Sequence, residues 1–189
     1  MPFPPPSADR ALLAIALLAL TSCMPHSNER PEIHGHRGCR GLLPENSIPA
    51  FLQATELGAD FLEMDVVITA DKQVLVSHEP WMRHGLCRTP DGTPITEDTE
   101  RHFNLYQMKA SAIQAYDCGS EEQADFPNQG QQRTTKPTLR EVIEAVDEHA
   151  LMSGSLAPGF NIEIKSDPAL YGEFQPRPAE FAALVLGWL

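Results

Sequence analysis

The order of elements along the chain predicts an α/β fold built on a parallel sheet. Apolar and β-branched runs at residues 60–69 and 159–165 read as strands. Capped helical patterns over residues 48–57 and from Thr138 onward alternate with them. Chemically active side chains cluster where the strands and the loops after them lie, as in α/β folds. With 189 residues and 42% hydrophobic content, the chain suits one domain with its own core.

The N-terminus reads as a targeting segment. Arg10 precedes ten apolar residues, 11–20, which form the hydrophobic stretch of an export signal and are too short to span a bilayer comfortably. Leu20-Thr21-Ser22-Cys23 follows, and small residues leading into a cysteine at this point resemble a bacterial lipoprotein signal. The expectation is a signal peptide over residues 1–22, a lipidated Cys23, a polar tether over 23–31 and one domain over 32–189. That domain would sit on the periplasmic side of the cell envelope, bound to the membrane through its lipid alone. An ordinary secretory signal with an incidental cysteine, or an uncleaved anchor, is the alternative. In an oxidising compartment any two cysteines that meet form a disulfide. Cys87 and Cys118 flank a loop-rich stretch and are expected to pair, leaving Cys39 free.

The 26 acidic and 14 basic residues give a net charge of -12, which argues against unassisted binding to nucleic acid or to an anionic membrane surface. A phosphate-bearing ligand therefore needs local help from a metal ion and a few cationic side chains.

Residues 32–36 form a short strand candidate, and Gly35 and Gly38 allow a tight turn after it. Ser47 is placed to cap a helix over 48–57, with Pro49 in its first turn, Phe51, Ala54, Thr55 and Leu57 at helical spacing, and Gly58 closing it. Residues 60–69 make a strand, 70–73 a turn and 74–78 a second short strand. Glu63 and Asp65 are two apart and leave the same face, which on an apolar strand is costly unless that face opens on water or metal. Residues 81–133 lack sustained periodicity, apart from a helical turn or two within 105–115, and read as a long insertion. Thr138 and Glu141 form a capping box for an amphipathic helix reaching about His149 on Leu139, Val142, Ile143 and Val146. The strand at 159–165 turns Phe160, Ile162 and Ile164 one way and Asn161, Glu163 and Lys165 the other. An apolar helix begins at Pro178.

Glu63, Asp65 and Glu163 can converge as oxygen ligands for a hard divalent cation, Mg2+ or Ca2+. His36 and His78 bracket the first two and can move protons on either side of a phosphoester. Taken singly, a Glu-x-Asp pair is more often a solvated surface feature.

The motifs His36-Arg37-Gly38, Pro44-Glu45-Asn46-Ser47, Ala50-Phe51, Gly58-Ala59-Asp60, Glu63-Met64-Asp65-Val66, Thr69-Ala70-Asp71, His78-Glu79 and Asn161-Ile162-Glu163-Ile164-Lys165, in this order, resemble the glycerophosphodiester phosphodiesterase family over roughly residues 31–189. The resemblance implies a TIM-type (β/α)8 barrel that hydrolyses glycerophosphodiesters, such as deacylated phospholipids, to sn-glycerol 3-phosphate and an alcohol with a divalent metal. By position Glu63, Asp65 and Glu163 match the family's metal ligands, His36 and His78 its acid/base pair and Arg37 a phosphate contact. Lys165 shares a strand face with Glu163 and either neutralises charge on the substrate or simply pairs with that carboxylate. His34 matches no family role, and His84, His102 and His149 read as surface residues. The attacking oxygen, from water or from the substrate's own glycerol hydroxyl, is left open. Cys39 stands where the family usually has Ala, and Glu79 where it has Asp. A complete barrel takes roughly 250 residues, and about four strands are countable here. The expectation is therefore the N-terminal portion of a barrel whose C-terminal part is truncated, with a non-catalytic remnant that binds metal or phosphate as the alternative. A phospholipase of similar architecture matches the motifs at Gly58 to Asp65 and Asn161 to Lys165 less well.

Overall fold

The structure, a computed structural model, describes residues 30–187. The expected signal peptide, Cys23 and most of the tether lie outside the described residues. The described domain contains β1 (His34–Gly35), α1 (Ile48–Glu56), β2 (Phe61–Ile68), β3 (Val74–Val76), α2 (Ala110–Ile113), α3 (Leu139–Ser153), β4 (Gly159–Ile164) and α4 (Pro178–Leu186). Single 3-10 turns lie at Glu100–His102, Leu105–Gln107 and Pro168–Leu170. No helix among the described residues is long and apolar enough to cross a membrane.

β2 is the central strand. β4 runs parallel along one edge, from Phe61 opposite Gly159 to Val66 opposite Ile164. β1 pairs parallel with the start of β2, and β3 pairs antiparallel with its end, Val66 opposite Val76. Because Val66 faces both Ile164 and Val76, β1 and β3 share the edge of β2 opposite β4. The sheet is thus parallel except at β3. Only the few residues 69–73 separate it from β2, with Lys72 at φ 61, and so short a link permits only an antiparallel return.

Side-chain alternation splits β2 between two environments. Leu62, Met64, Val66 and Ile68 pack against Phe51 and Ala54 of α1, Leu139, Val142 and Val146 of α3, and Phe181 and Val185 of α4. On the other face Glu63 and Asp65 lead to Val67, which joins a second core with Leu75, Met82, Leu86, Leu105 and Ile113. The insertion is therefore more ordered than its composition suggested. It carries its own apolar core on the sheet, and Cys87 and Cys118 are joined within it by a disulfide spanning 31 positions. Cys39 is free.

Local signals account for most element ends. Ser47 accepts a bond from the Ala50 amide at the start of α1, and Thr138 and Glu141 complete both halves of the capping box on α3. Several boundaries differ from expectation, among them that of β3, which ends at Val76 rather than at residue 78. β1 is only two residues long, because the turn bond from the Gly38 amide to the Gly35 carbonyl begins immediately after it. Leu57, expected on the apolar face, is the exposed C-cap of α1. α3 continues past His149 to Ser153, where Gly154 stops it in the left-handed conformation at φ 69, leaving Leu151 and Met152 exposed.

Candidate metal and acid–base site

The register of β2 against β4 sets Glu163 directly beside Asp65, and Glu63 lies two residues earlier on the same face. The three carboxylates offer ligand atoms that all lie within 4.8 Å of one another. Negative groups this close repel unless positive charge lies among them. Lys165 supplies it: its Nζ is 3.0 Å from Asp65 Oδ1 and 2.6 Å from Glu163 Oε1. Burial opposes the charged lysine, but its bonds to Glu163 and Asp65 outweigh that and raise its pKa. Asp65 is 1% exposed whereas the Glu163 side chain is 55% exposed, so the cluster opens from a buried floor to an accessible rim.

The loop after β1 supplies the floor. Arg37 adopts a left-handed backbone at φ 52, and its amide donates to Glu63 Oε2 at 2.7 Å. Its guanidinium is buried, with Nη1 donating to Glu45 Oε1 at 2.8 Å and Nε 3.1 Å from Asp65 Oδ2. Desolvation alone would lower the Arg37 pKa, yet Glu45 and Asp65 prevail and raise it. Asn46, also left-handed at φ 53, donates its amide to the Arg37 carbonyl and its Nδ2 to Asp65 Oδ2 at 3.0 Å. Non-glycine residues held in this region cluster at functional sites. Gly38, at φ 82, permits the loop's approach to α1, since a Cβ there would lie 2.7 Å from the Ala50 carbonyl carbon. His36, its side chain 58% exposed, places Nε2 3.9 Å from Glu63 Oε2.

His78 approaches from the end of β3. Its Nδ1 lies 2.8 Å from Glu79 Oε1. Burial would raise the Glu79 pKa, but the bond from His78 and the charges of Lys136, His78 and Arg83 hold it at about 2. An ionised carboxylate only accepts, so His78 Nδ1 carries the proton of this bond and Nε2 is left for a ligand. His78 lines a cavity of about 320 Å³ together with Trp81, Glu163, Lys165, Asp167 and Gln175.

The structure thus brings together Glu63, Asp65, Glu163, Arg37, Lys165 and His36 by direct contact, and His78 by a shared cavity. His34 stacks on Phe61 with ring centroids 4.8 Å apart. His84 is bonded to Glu100 at 2.7 Å. Sequence reasoning assigned no role to Glu45, Asn46, Glu79 or Lys136. The first three stand inside quoted motifs, which is the signal that could have found them. Lys136, 4% exposed, has no such signal, because nothing local marks a lysine before a helix as buried.

A sequence profile described as the glycerophosphoryl diester phosphodiesterase family matches residues 36–170. A glycerophosphodiester phosphodiesterase of Caldanaerobacter subterraneus is 34% identical over 136 residues, covering 72% of this chain and 46% of that protein. One from Bacillus subtilis is 29% identical over 118 residues, covering 61% of this chain and 36% of that protein. Among solved structures, a Silicibacter pomeroyi protein provisionally named a glycerophosphoryl diester phosphodiesterase superposes with a TM-score of 0.72 at 30% identity, covering 85% of this chain and 54% of its own. The chain spans about half the length of the first curated relatives it matches. These neighbours are TIM-type barrels, and the four strands described here form part of that architecture.

Proposed function

Because the chain belongs to the glycerophosphoryl diester phosphodiesterase family, we propose that its site serves metal-dependent hydrolysis of glycerophosphodiesters to sn-glycerol 3-phosphate and an alcohol. The observation that carries this reading is the convergence of Glu63, Asp65 and Glu163 beside His36, with Glu163 also lining the cavity that His78 lines.

The donor set suits a hard cation, because three carboxylates converge and carry more negative charge than Lys165 alone offsets. Glu63, Asp65 and Glu163 would hold Mg2+ or Ca2+, which when bound supplies charge withdrawal from the phosphate oxygens. The remaining work belongs to side chains. One of His36 and His78 takes the proton of the attacking hydroxyl, from water or from the substrate's glycerol, and the other gives a proton to the leaving alkoxide. Glu79 orients His78 for this through Nδ1. Arg37 and Lys165 balance the carboxylates and add positive charge facing the phosphate.

In the same proposal Cys23 carries a lipid that keeps the domain at the periplasmic face of the envelope. Incorporation of labelled fatty acid that is lost in Cys23→Ala tests that part. The catalytic part is tested by a coupled assay of glycerol 3-phosphate release from glycerophosphocholine by the 189-residue chain. Release abolished by EDTA and restored by Mg2+ or Ca2+ is expected. Metal binding by calorimetry without release would instead favour a chain that binds metal and does not hydrolyse.

A further inference from the structure

Lys136 is 4% exposed, yet it lies in no described part of the metal cluster. Its depth follows from its neighbours: the Pro137 carbonyl accepts from the Val76 amide at 2.8 Å and Thr138 bridges Leu75, so the segment before α3 docks along β3. Lys136 Nζ donates to Ser77 Oγ at 2.8 Å, and Ser77 Oγ donates to the Glu79 carbonyl at 2.7 Å. Glu79 Oε1 holds His78 Nδ1 at 2.8 Å, while its other carboxylate oxygen is buried without a hydrogen-bond partner. The carboxylate depends on nearby positive charge, which comes from Lys136, His78 and Arg83. Enclosing a lysine is costly unless its charge is used. An apolar side chain could fill the same space without that penalty.

We infer that Lys136 is a positioning residue for His78, acting through the Ser77 hydroxyl and the Glu79 carboxylate to hold the imidazole with Nδ1 protonated and Nε2 free for a ligand. The inference rests on the reading of His78 as an acid/base group. Burial pulls the Lys136 pKa down, aided by Arg83 and opposed by the charges of Glu79, Glu45 and Asp65, and the charged groups facing Glu79 are His78, Lys136 and Arg83. Removing the lysine leaves Glu79, among the described residues, with Arg83 at 4.0 Å as its remaining cationic partner besides the histidine. The carboxylate then turns toward water or takes up a proton, and the bond that sets the tautomer weakens.

The experiment is nitrogen NMR of imidazole-labelled 189-residue chain at neutral pH, with His78 assigned by its loss in His78→Gln. The unsubstituted protein is expected to show His78 as the Nδ1–H tautomer. In Lys136→Met the Nε2–H tautomer should appear as a major species, and Lys136→Arg should restore the original. Ser77→Ala, which keeps both charges but cuts the hydroxyl link, should give an intermediate mixture and serves alone where Lys136→Met does not fold. An unchanged His78 tautomer in folded Lys136→Met or Ser77→Ala overturns the inference. In the glycerol 3-phosphate assay the same variants should lose about tenfold or more in kcat with KM within about twofold. A protein with the expected tautomers but no turnover would sink the hydrolase reading and leave the positioning inference standing.

Discussion

At the scale of single residues, burial separates side chains that share one proposed role. Asp65 is nearly inaccessible and holds Arg37, Lys165 and Asn46, whereas Glu163 stands at the rim. Asp65→Asn removes one of the two carboxylates that Arg37 and Lys165 each hold and should lower stability by about 2 kcal/mol, while Glu163→Gln should cost no more than about 1 kcal/mol. Both should lose turnover, and urea unfolding beside the coupled assay checks the contrast. His36→Ala and His78→Ala should each reduce glycerol 3-phosphate release by about a hundredfold or more in a folded protein. Glu79 adds a pH dependence. Its carboxyl is depressed from 4.5 to about 2 on folding, so its contribution is complete above pH 4.5 and disappears as pH falls toward 2. It amounts to about 3 kcal/mol at neutral pH. Glu79→Gln should flatten that part of the acid-unfolding profile. A profile as steep as that of the unsubstituted protein would contradict this account.

Among elements, the insertion and the helix starts carry separable contributions. Residues that read as an irregular excursion form a core against Val67 and Leu75, stapled by Cys87–Cys118. Opening that staple, by reductant or by paired Cys→Ser changes, should cost about 3 kcal/mol for a loop of this length. The loss should reach the site, because Ser77 lies in the strand end beside this core and its amide donates to the Asp65 carbonyl. Thr138→Ala removes one half of a capping box and should cost about 1 kcal/mol, measured as a shift of the urea midpoint. The starts of α1 and α3 were legible because a cap is a local bargain among residues three apart. The end of α3 was less so: the apolar pattern fades at His149, but the backbone stops where Gly154 can turn left-handed. The antiparallel direction of β3 follows from the short turn before it, which is a local feature of the sequence.

For the whole molecule, the sheet leaves one edge each of β1 and β4 without a strand partner among the described residues, with Ile33, Leu42 and Leu57 exposed near β1. Unpaired edges beside apolar surface invite association. The 189-residue chain should therefore self-associate with rising concentration in sedimentation experiments, and a concentration-independent monomer would show these edges to be protected. The sequence alone determined the chemistry on offer: the residue types, their two-residue and helical periods, the caps, and the motif order that marked the family. Those properties are local, set by backbone geometry over a few positions. Tertiary structure decided that Glu163 meets Asp65, through the register of two strands distant in sequence, and that Lys165 and Arg37 converge on the same carboxylate. It also decided that Lys136 is buried against Ser77, where its charge has Glu79 to answer it. Register and burial depend on which faces pack together, and no short stretch of chain contains that information.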